Sequence, residues 1–265
     1  MRALVLGGTG MLGHVVRRYF EESGVGVVAP GRREIDFNGL FFFSTLAALI
    51  EKVKPDCVIN CAGIVKQGIE EFPASEVVNV NALCPHVIGE LCRAKAIRFM
   101  HVSTDCVFSG RLGSYSELST PDPVDLYGRS KLLGEQPGPH LTIRTAIIGP
   151  EIGPKKRGLM EWFLAQEGAV NGFTNAIWSG VTTLQLAKIL LAFAKSSGGG
   201  IVHVTTEPAS KYHLLLQMQE VFQKKIEIRQ HELDRRLDRS LTNHRVKMEI
   251  PPMCDQLVEL RDWYK

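Results

Sequence analysis

Seven residues near the N-terminus, Gly7-Gly8-Thr9-Gly10-Met11-Leu12-Gly13, constrain this chain more than any other feature. They follow a short apolar run, Ala3–Leu6, and open an amphipathic segment, Leu12–Glu22. The spacing Gly7-x-x-Gly10-x-x-Gly13 is a variant of the dinucleotide fingerprint. One glycine permits the tight strand-to-helix turn, another lets backbone approach a pyrophosphate, and the third lets helix and strand pack closely. A helix beginning there offers free N–H groups and the positive end of its dipole to phosphates. Between a strand and a helix, the motif has the context it requires.

Further along, short runs that are apolar throughout alternate with longer helical patterns. Ala3–Leu6, Val25–Ala29, Cys57–Cys61, Arg98–Ser103, Leu141–Ala146 and Ile201–Val204 read as strands buried on both faces. Leu12–Glu22, Leu40–Lys54, Ser75–Ala96, Tyr127–Glu135 and Thr183–Lys195 read as helices. This alternation predicts an α/β fold, a Rossmann-type doubly wound parallel sheet with right-handed crossovers. The pattern weakens after Gly149. Residues 1–150 are expected to form a dinucleotide-binding domain, with about 179–206 packing back onto it. Residues 151–178 and 207–265 are expected to form a small substrate-binding part, with a helix at Tyr212–Phe222, a strand at Lys225–Arg229 and a charged segment at His231–Arg239.

Charge and cysteine usage narrow the function classes. A net charge of +3 with no dense basic stripe gives no footprint for nucleic acid. The one tight basic cluster, Lys155-Lys156-Arg157, reads as a solvated loop, with contact to a substrate phosphate as the alternative. No run approaches the ~18 apolar residues of a membrane span, and no signal peptide is expected. The six cysteines form no CxxC pair and no Cys/His cluster with zinc spacing, so no metal is expected and the thiols read as reduced in a cytoplasmic protein.

Two further patterns bear on chemistry. Gly31-Arg32-Arg33 follows the second strand, where an NAD site usually carries an acid for the ribose 2′-hydroxyl; Arg32 and Arg33 suit the 2′-phosphate of NADP(H) instead, with NAD(H) the lesser option. Tyr127 and Lys131, four apart on one helix face, set a phenol beside an ammonium that would lower its pKa. Ser103-Thr104-Asp105 ends a strand on the edge where such sheets bind ligands, and a hydroxyl there can hold a substrate carbonyl.

Together these motifs, with Asn60-Cys61-Ala62-Gly63 after the third strand, resemble the extended short-chain dehydrogenase/reductase family. Within it, His101–Gly110 and Leu126–Glu135 resemble the dTDP-4-dehydrorhamnose reductase branch. The resemblance covers about the first 150 residues. It implies NADPH-dependent reduction of a 4-keto-6-deoxy nucleotide sugar, on dTDP or UDP, by a homodimer free of membrane and nucleic acid. It assigns the proton donor to Tyr127, the ribose contact and tuning of Tyr127 to Lys131, and the carbonyl contact to Thr104, with Ser103 beside it. It places cofactor against Gly7, Gly10, Met11, Leu12, Gly13, Cys61, Ala62, Gly63 and Ser103. It gives Asp36-Phe37 the adenine contact, the alternative being a turn. Asp105 would line the substrate site, the alternative being a structural cap. Cys106 departs from the aromatic residue usual in the branch; being smaller, it would admit a bulkier group such as 2-acetamido, or be a neutral substitution. It also stands where related dehydratases carry a catalytic glutamate, which argues against dehydration. Trp178 is read as a platform for sugar or base, or as core. Arg235, Arg236 and Arg239 are read as solvated, with the substrate pyrophosphate as the alternative. Two other readings stay open: an epimerase, and an NADP-binding regulatory subunit without turnover.

Overall fold

The computed structural model describes residues 1–136, 138–153 and 155–265. Its centre is the expected sheet. β1 (Arg2–Leu6), β2 (Gly26–Val28), β3 (Cys57–Asn60), β4 (Arg98–Val102), β5 (Leu141–Arg144) and, after several later elements, β10 (Gly200–His203) pair in the order β10-β5-β4-β3-β1-β2. Every neighbouring pair is parallel. Strand order reverses about β1, so the crevice between the carboxyl ends of β1 and β3 is the place for a ligand.

The strands are apolar throughout because each feeds two cores. Ala3 and Val5 of β1 join Cys57, Ile59 and Met100 on one face, while Leu4 and Leu6 join Val58 and Phe99 on the other. α1 (Gly13–Glu22) covers the first face through Val15, Val16 and Phe20; Gly24, at φ +76°, follows its end. α2 (Phe42–Val53) covers the second with Phe42, Leu46 and Ile50. At about 25 cal/mol per Å² of apolar surface, each large buried side chain contributes roughly 1.5–3 kcal/mol.

The helix expected over 75–96 is interrupted. α3 (Ala74–Val78) passes through a π-helical turn at Asn79–Leu83 into α4 (Cys84–Ala94). Pro85 has no N–H to give the carbonyl four residues back, that of Asn81, so the ladder must rearrange there. α5 (Leu126–Leu133) begins at Asp125, whose carboxylate accepts from the Gly128 N–H (2.8 Å).

Beyond β5 come β6 (Ile147–Ile148), α6 (Leu159–Ala165), β7 (Ala169–Phe173), β8 (Ala176–Trp178), β9 (Val181–Thr182) and α7 (Thr183–Ala194). After β10 follow β11 (Ala209–Ser210), α8 (Lys211–Val221), β12 (Glu227–His231), β13 (Leu237–Asp238) and α9 (Met253–Trp263). The C-terminal strand thus lies two residues beyond its expected start, and the segment expected to be merely charged contains β13, paired with β8. α9 was not foreseen. Its Leu257 and Leu260 share one core with Val15, Val16, Leu190 and Leu214. Tyr264, just after α9, hydrogen-bonds His14 of α1, and Arg18 of α1 lies 4.0 Å from the Trp263 ring centre. Among the described residues no helix is long and apolar enough to cross a membrane.

One polar network lies inside this core. Arg144 donates to both oxygens of Glu135 (2.8 and 2.7 Å), and the Ser103 hydroxyl donates to the same carboxylate (2.8 Å). All three residues are buried. Removing one charge leaves the other without its partner in a low-dielectric site. Arg144→Met is expected to cost about 3–5 kcal/mol of unfolding free energy in urea titrations, and Arg144→Met with Glu135→Gln together less than Arg144→Met alone.

Candidate active site

The glycine turn forms the floor of the crevice. Gly7 stands at φ +79°, and a Cβ on it would fall 2.6 Å from the Ala62 nitrogen of the loop after β3. A Cβ on Gly13 would collide with the Gly7 carbonyl. Backbone therefore lies against backbone where β1 and β3 end. The Gly10 N–H donates to the Gly7 carbonyl (2.9 Å), whereas the N–H groups of Met11 and Leu12 have no backbone acceptor among the described residues. α1 has no side-chain cap and no acidic residue in its first turn. An uncapped, unneutralised helix start is suited to an anion.

Arg32 and Arg33 lie exposed in the loop after β2, and neither is ion-paired among the described residues. Glu34 is turned back, accepting from the Gly31 N–H (2.8 Å). Asp36 forms a turn: its Oδ1 accepts from the Asn38 N–H (3.0 Å). The Phe37 carbonyl is held by the Asn79 amide (2.7 Å) and its ring packs on Phe42. Cys61 is a neutral thiol, pushed up to about 12 by burial.

At the carboxyl end of β4, Thr104 and Tyr127 come together. Burial holds the Tyr127 phenol above its ordinary value; Cys106 and Asp105 push the same way, and a hydrogen bond with the Thr104 side chain opposes them. Lys131 is anchored at the end of β4. Its ammonium is held by the Val102 carbonyl (2.7 Å) and lies 3.3 Å from His101 Nε2. Burial depresses Lys131 to about 8, with Glu135 and Cys61 opposing. His101, wholly buried, is held well below its ordinary value by burial and then by Lys131, and its Nδ1 lies 3.2 Å from the Asn60 amide. The phenol is therefore protonated at neutral pH, which suits an acid rather than a base.

One sequence expectation changes at this point, and two alternatives left open resolve. The Ser103 hydroxyl does not face the crevice; it is bound to Glu135 in the core. Trp178 presents no open platform: it is 4% exposed, and its ring carries the ammonium of Lys211 at 4.3 Å. The Lys155-Lys156-Arg157 cluster is neutralised by its own protein, with Lys155 and Arg157 on Glu71 and Lys156 on Glu161. The C-terminal arginines divide. Arg235 is exposed and Arg236 pairs with Asp238 (2.6 Å). Arg239 turns inward, donating to the Phe108 carbonyl (3.0 Å) and acting with Lys211 to lower Asp105, which burial raises. Cys106 is pushed up to about 12, chiefly by burial, and is a neutral thiol.

Asn81 escaped the sequence reading. Displaced by the π turn, it accepts from the Ile64 N–H (2.8 Å) and donates to the Ile64 carbonyl (2.9 Å) and the Ser130 hydroxyl (3.1 Å). It thus ties the Cys61–Gly63 loop to α5, and a proline four residues after an asparagine in a helical run was the available signal.

Comparison with known proteins agrees with this architecture. Residues 1–226 match the family model described as RmlD substrate binding domain. The chain belongs to that family. It is a branch of the extended short-chain dehydrogenases/reductases, NAD(P)-dependent oxidoreductases. A dTDP-4-keto-6-deoxy-D-glucose reductase of Streptomyces niveus is 27% identical over 224 residues, covering 82% of this chain and 77% of that protein. Methionine adenosyltransferase 2 subunit beta of Xenopus tropicalis is 30% identical over 151 residues, 56% of this chain and 45% of that protein. In fold, the dTDP-4-dehydrorhamnose reductase of Bacillus anthracis in complex with NADP superposes with a TM-score of 0.86 at 17% identity, covering 99% of each chain.

Asn81→Ala would orphan the Ile64 backbone groups beside the crevice. It is expected to lower unfolding free energy by about 1–3 kcal/mol, read as a lower urea midpoint with an unchanged slope.

Proposed function

We propose that this protein reduces a 4-keto-6-deoxy nucleotide sugar with NADPH. The reading is carried by one arrangement: a protonated phenol and a threonine hydroxyl meet at the carboxyl edge of β4, beside a bare helix start and a buried lysine. Gly10, Met11, Leu12 and Gly13 would hold the pyrophosphate, Asp36 and Phe37 the adenine end, and Arg32 and Arg33 the 2′-phosphate. The backbone there is close and uncapped, as such a group requires. Cys61, Ala62 and Gly63 wall the crevice opposite. The bound nicotinamide supplies hydride to the sugar carbonyl carbon. Thr104 holds the carbonyl oxygen, Tyr127 delivers a proton to it as charge develops, and Lys131 places a positive charge behind both and holds the ribose. Asp105 and Cys106 line the sugar side, Cys106 leaving space for a substituent such as an acetamido group.

The relatives named for nucleotide-sugar reduction align over most of this chain, whereas the regulatory subunit aligns over little more than half. The test is NADPH oxidation at 340 nm with a panel of dTDP- and UDP-linked 4-keto-6-deoxy sugars. Turnover on one member, reduced about 10²- to 10⁴-fold in Tyr127→Phe, is the expected result. Tight NADPH binding with no turnover on any member would favour a regulatory role instead.

Two more outcomes follow from the charges. The depressed value of Lys131 means that its positive charge is lost as pH rises through about 8. kcat at saturating substrate should fall across that limb, and Lys131→Arg should move the limb upward. Replacing Arg32 and Arg33 with alanine should raise KM for NADPH roughly 10- to 100-fold while leaving NADH nearly unchanged, the loss of charge-assisted contacts to one phosphate.

A further inference from the structure

Lys211 is the first residue of α8, directly after its cap Ser210. A cation there faces the positive end of the helix, the wrong sign for local stability. Its side chain crosses the face of buried Trp178, 4.3 Å from the ring centre. Burial depresses its ammonium to about 8, with Asp105 and Cys106 opposing. Among the described residues the ammonium makes no hydrogen bond and no ion pair; the ring and the field of Asp105 and Cys106 are its surroundings. A desolvated ammonium with unused donors is costly unless something accepts from it.

Its position says what that acceptor is. Asp105 and Cys106, the electrostatic neighbours of Lys211, are the same two residues that raise the Tyr127 phenol. Geometry places Lys211 there as well: the Trp178 ring it covers and the Ala146 carbonyl both press on Gly180, and the adjacent Thr145 carbonyl accepts from the Asp105 N–H (3.1 Å), so Lys211 is carried to the turn that directly follows Thr104. On a 4-keto-6-deoxy pyranose the oxygen nearest to O4 is that on C3, the only hydroxyl on a carbon flanking the ketone. We propose that Lys211 is a specificity-determining residue which donates a hydrogen bond to the C3 hydroxyl oxygen of the bound sugar, the Trp178 face keeping its ammonium in place. This rests on the reductase reading and extends it: the site selects 4-keto sugars that carry a free 3-hydroxyl.

The experiment compares kcat/KM of wild type, Lys211→Met and Lys211→Arg on two substrates, dTDP-4-keto-6-deoxyglucose and its 3-deoxy counterpart. Wild type should prefer the 3-hydroxy compound about 10- to 100-fold, as expected for a hydrogen bond to a charged donor. Lys211→Met should lose that preference, mainly through KM on the 3-hydroxy substrate, with the 3-deoxy substrate unaffected. Lys211→Arg should keep part of it. A structural role for Lys211 would lower both substrates equally. An equal loss, or a preference unchanged in Lys211→Met, overturns the proposal while the reductase reading stands. If Lys211→Met fails to bind NADPH, loss of the preference in Lys211→Gln supports the proposal and its persistence overturns it. Wild-type inactivity on both compounds and on the wider panel removes the reductase reading, and this proposal with it.

Discussion

Everything at the crevice depends on the approach of the Gly7 turn to the backbone of Ala62. With 2.6 Å between a hypothetical Cβ and the Ala62 nitrogen, no side chain can stand between the ends of β1 and β3. That closeness brings the start of α1 and the Cys61–Gly63 loop to one wall. The same loop is then tied by Asn81 to α5, which carries Tyr127 and Lys131. The bare start of α1 and the Thr104 and Tyr127 hydroxyls are thus set on one rigid frame, and each connection is backbone packing or a buried, satisfied amide. Precision of that kind is what a hydride transfer needs from its surroundings.

Charge is arranged around this frame with the same economy. Lys131 lies among His101, Val102 and Gly63, where burial weakens its hold on a proton. Lys211 lies on the Trp178 ring, also depressed. The Tyr127 phenol is held protonated. A second, purely structural charge pair, Glu135 with Arg144, lies behind β4 and captures Ser103. Two hydroxyls adjacent in sequence therefore serve different ends: Thr104 faces the phenol and Ser103 the core.

How much of this could be read from residues alone follows from how local each signal is. The strands and the glycine loop were legible because their burial is two-sided and their spacing is set by steric contact over a few residues. Thr104, Tyr127 and Lys131 were legible through spacing on a strand end and a helix turn. Ser103 was not, since its partner Glu135 is 32 positions away and nothing in the local pattern reveals it. Trp178 stayed open between platform and core because its neighbours Asn, Ser and Gly carry no local pattern; pairing of β8 with β11 and β13 folds it inward. Lys211 lies one residue before the helix expected at Tyr212–Phe222 and belongs to no local motif. α9 was missed although Met253, Leu257 and Leu260 fall at helical spacing after two prolines.

The contact of α9 with α1 has a consequence for how the chain reaches this state. His14 and Arg18, immediately downstream of the glycine turn, find Tyr264 and Trp263 only some 245 residues later. During synthesis the first βα unit emerges early, yet this flank of α1 stays bare until the C-terminal helix has left the ribosome. Completion of this flank of α1 is therefore coupled to translation of residues 253–265, and a nascent chain stalled before residue 253 leaves the apolar core that Leu257 and Leu260 cover open to water.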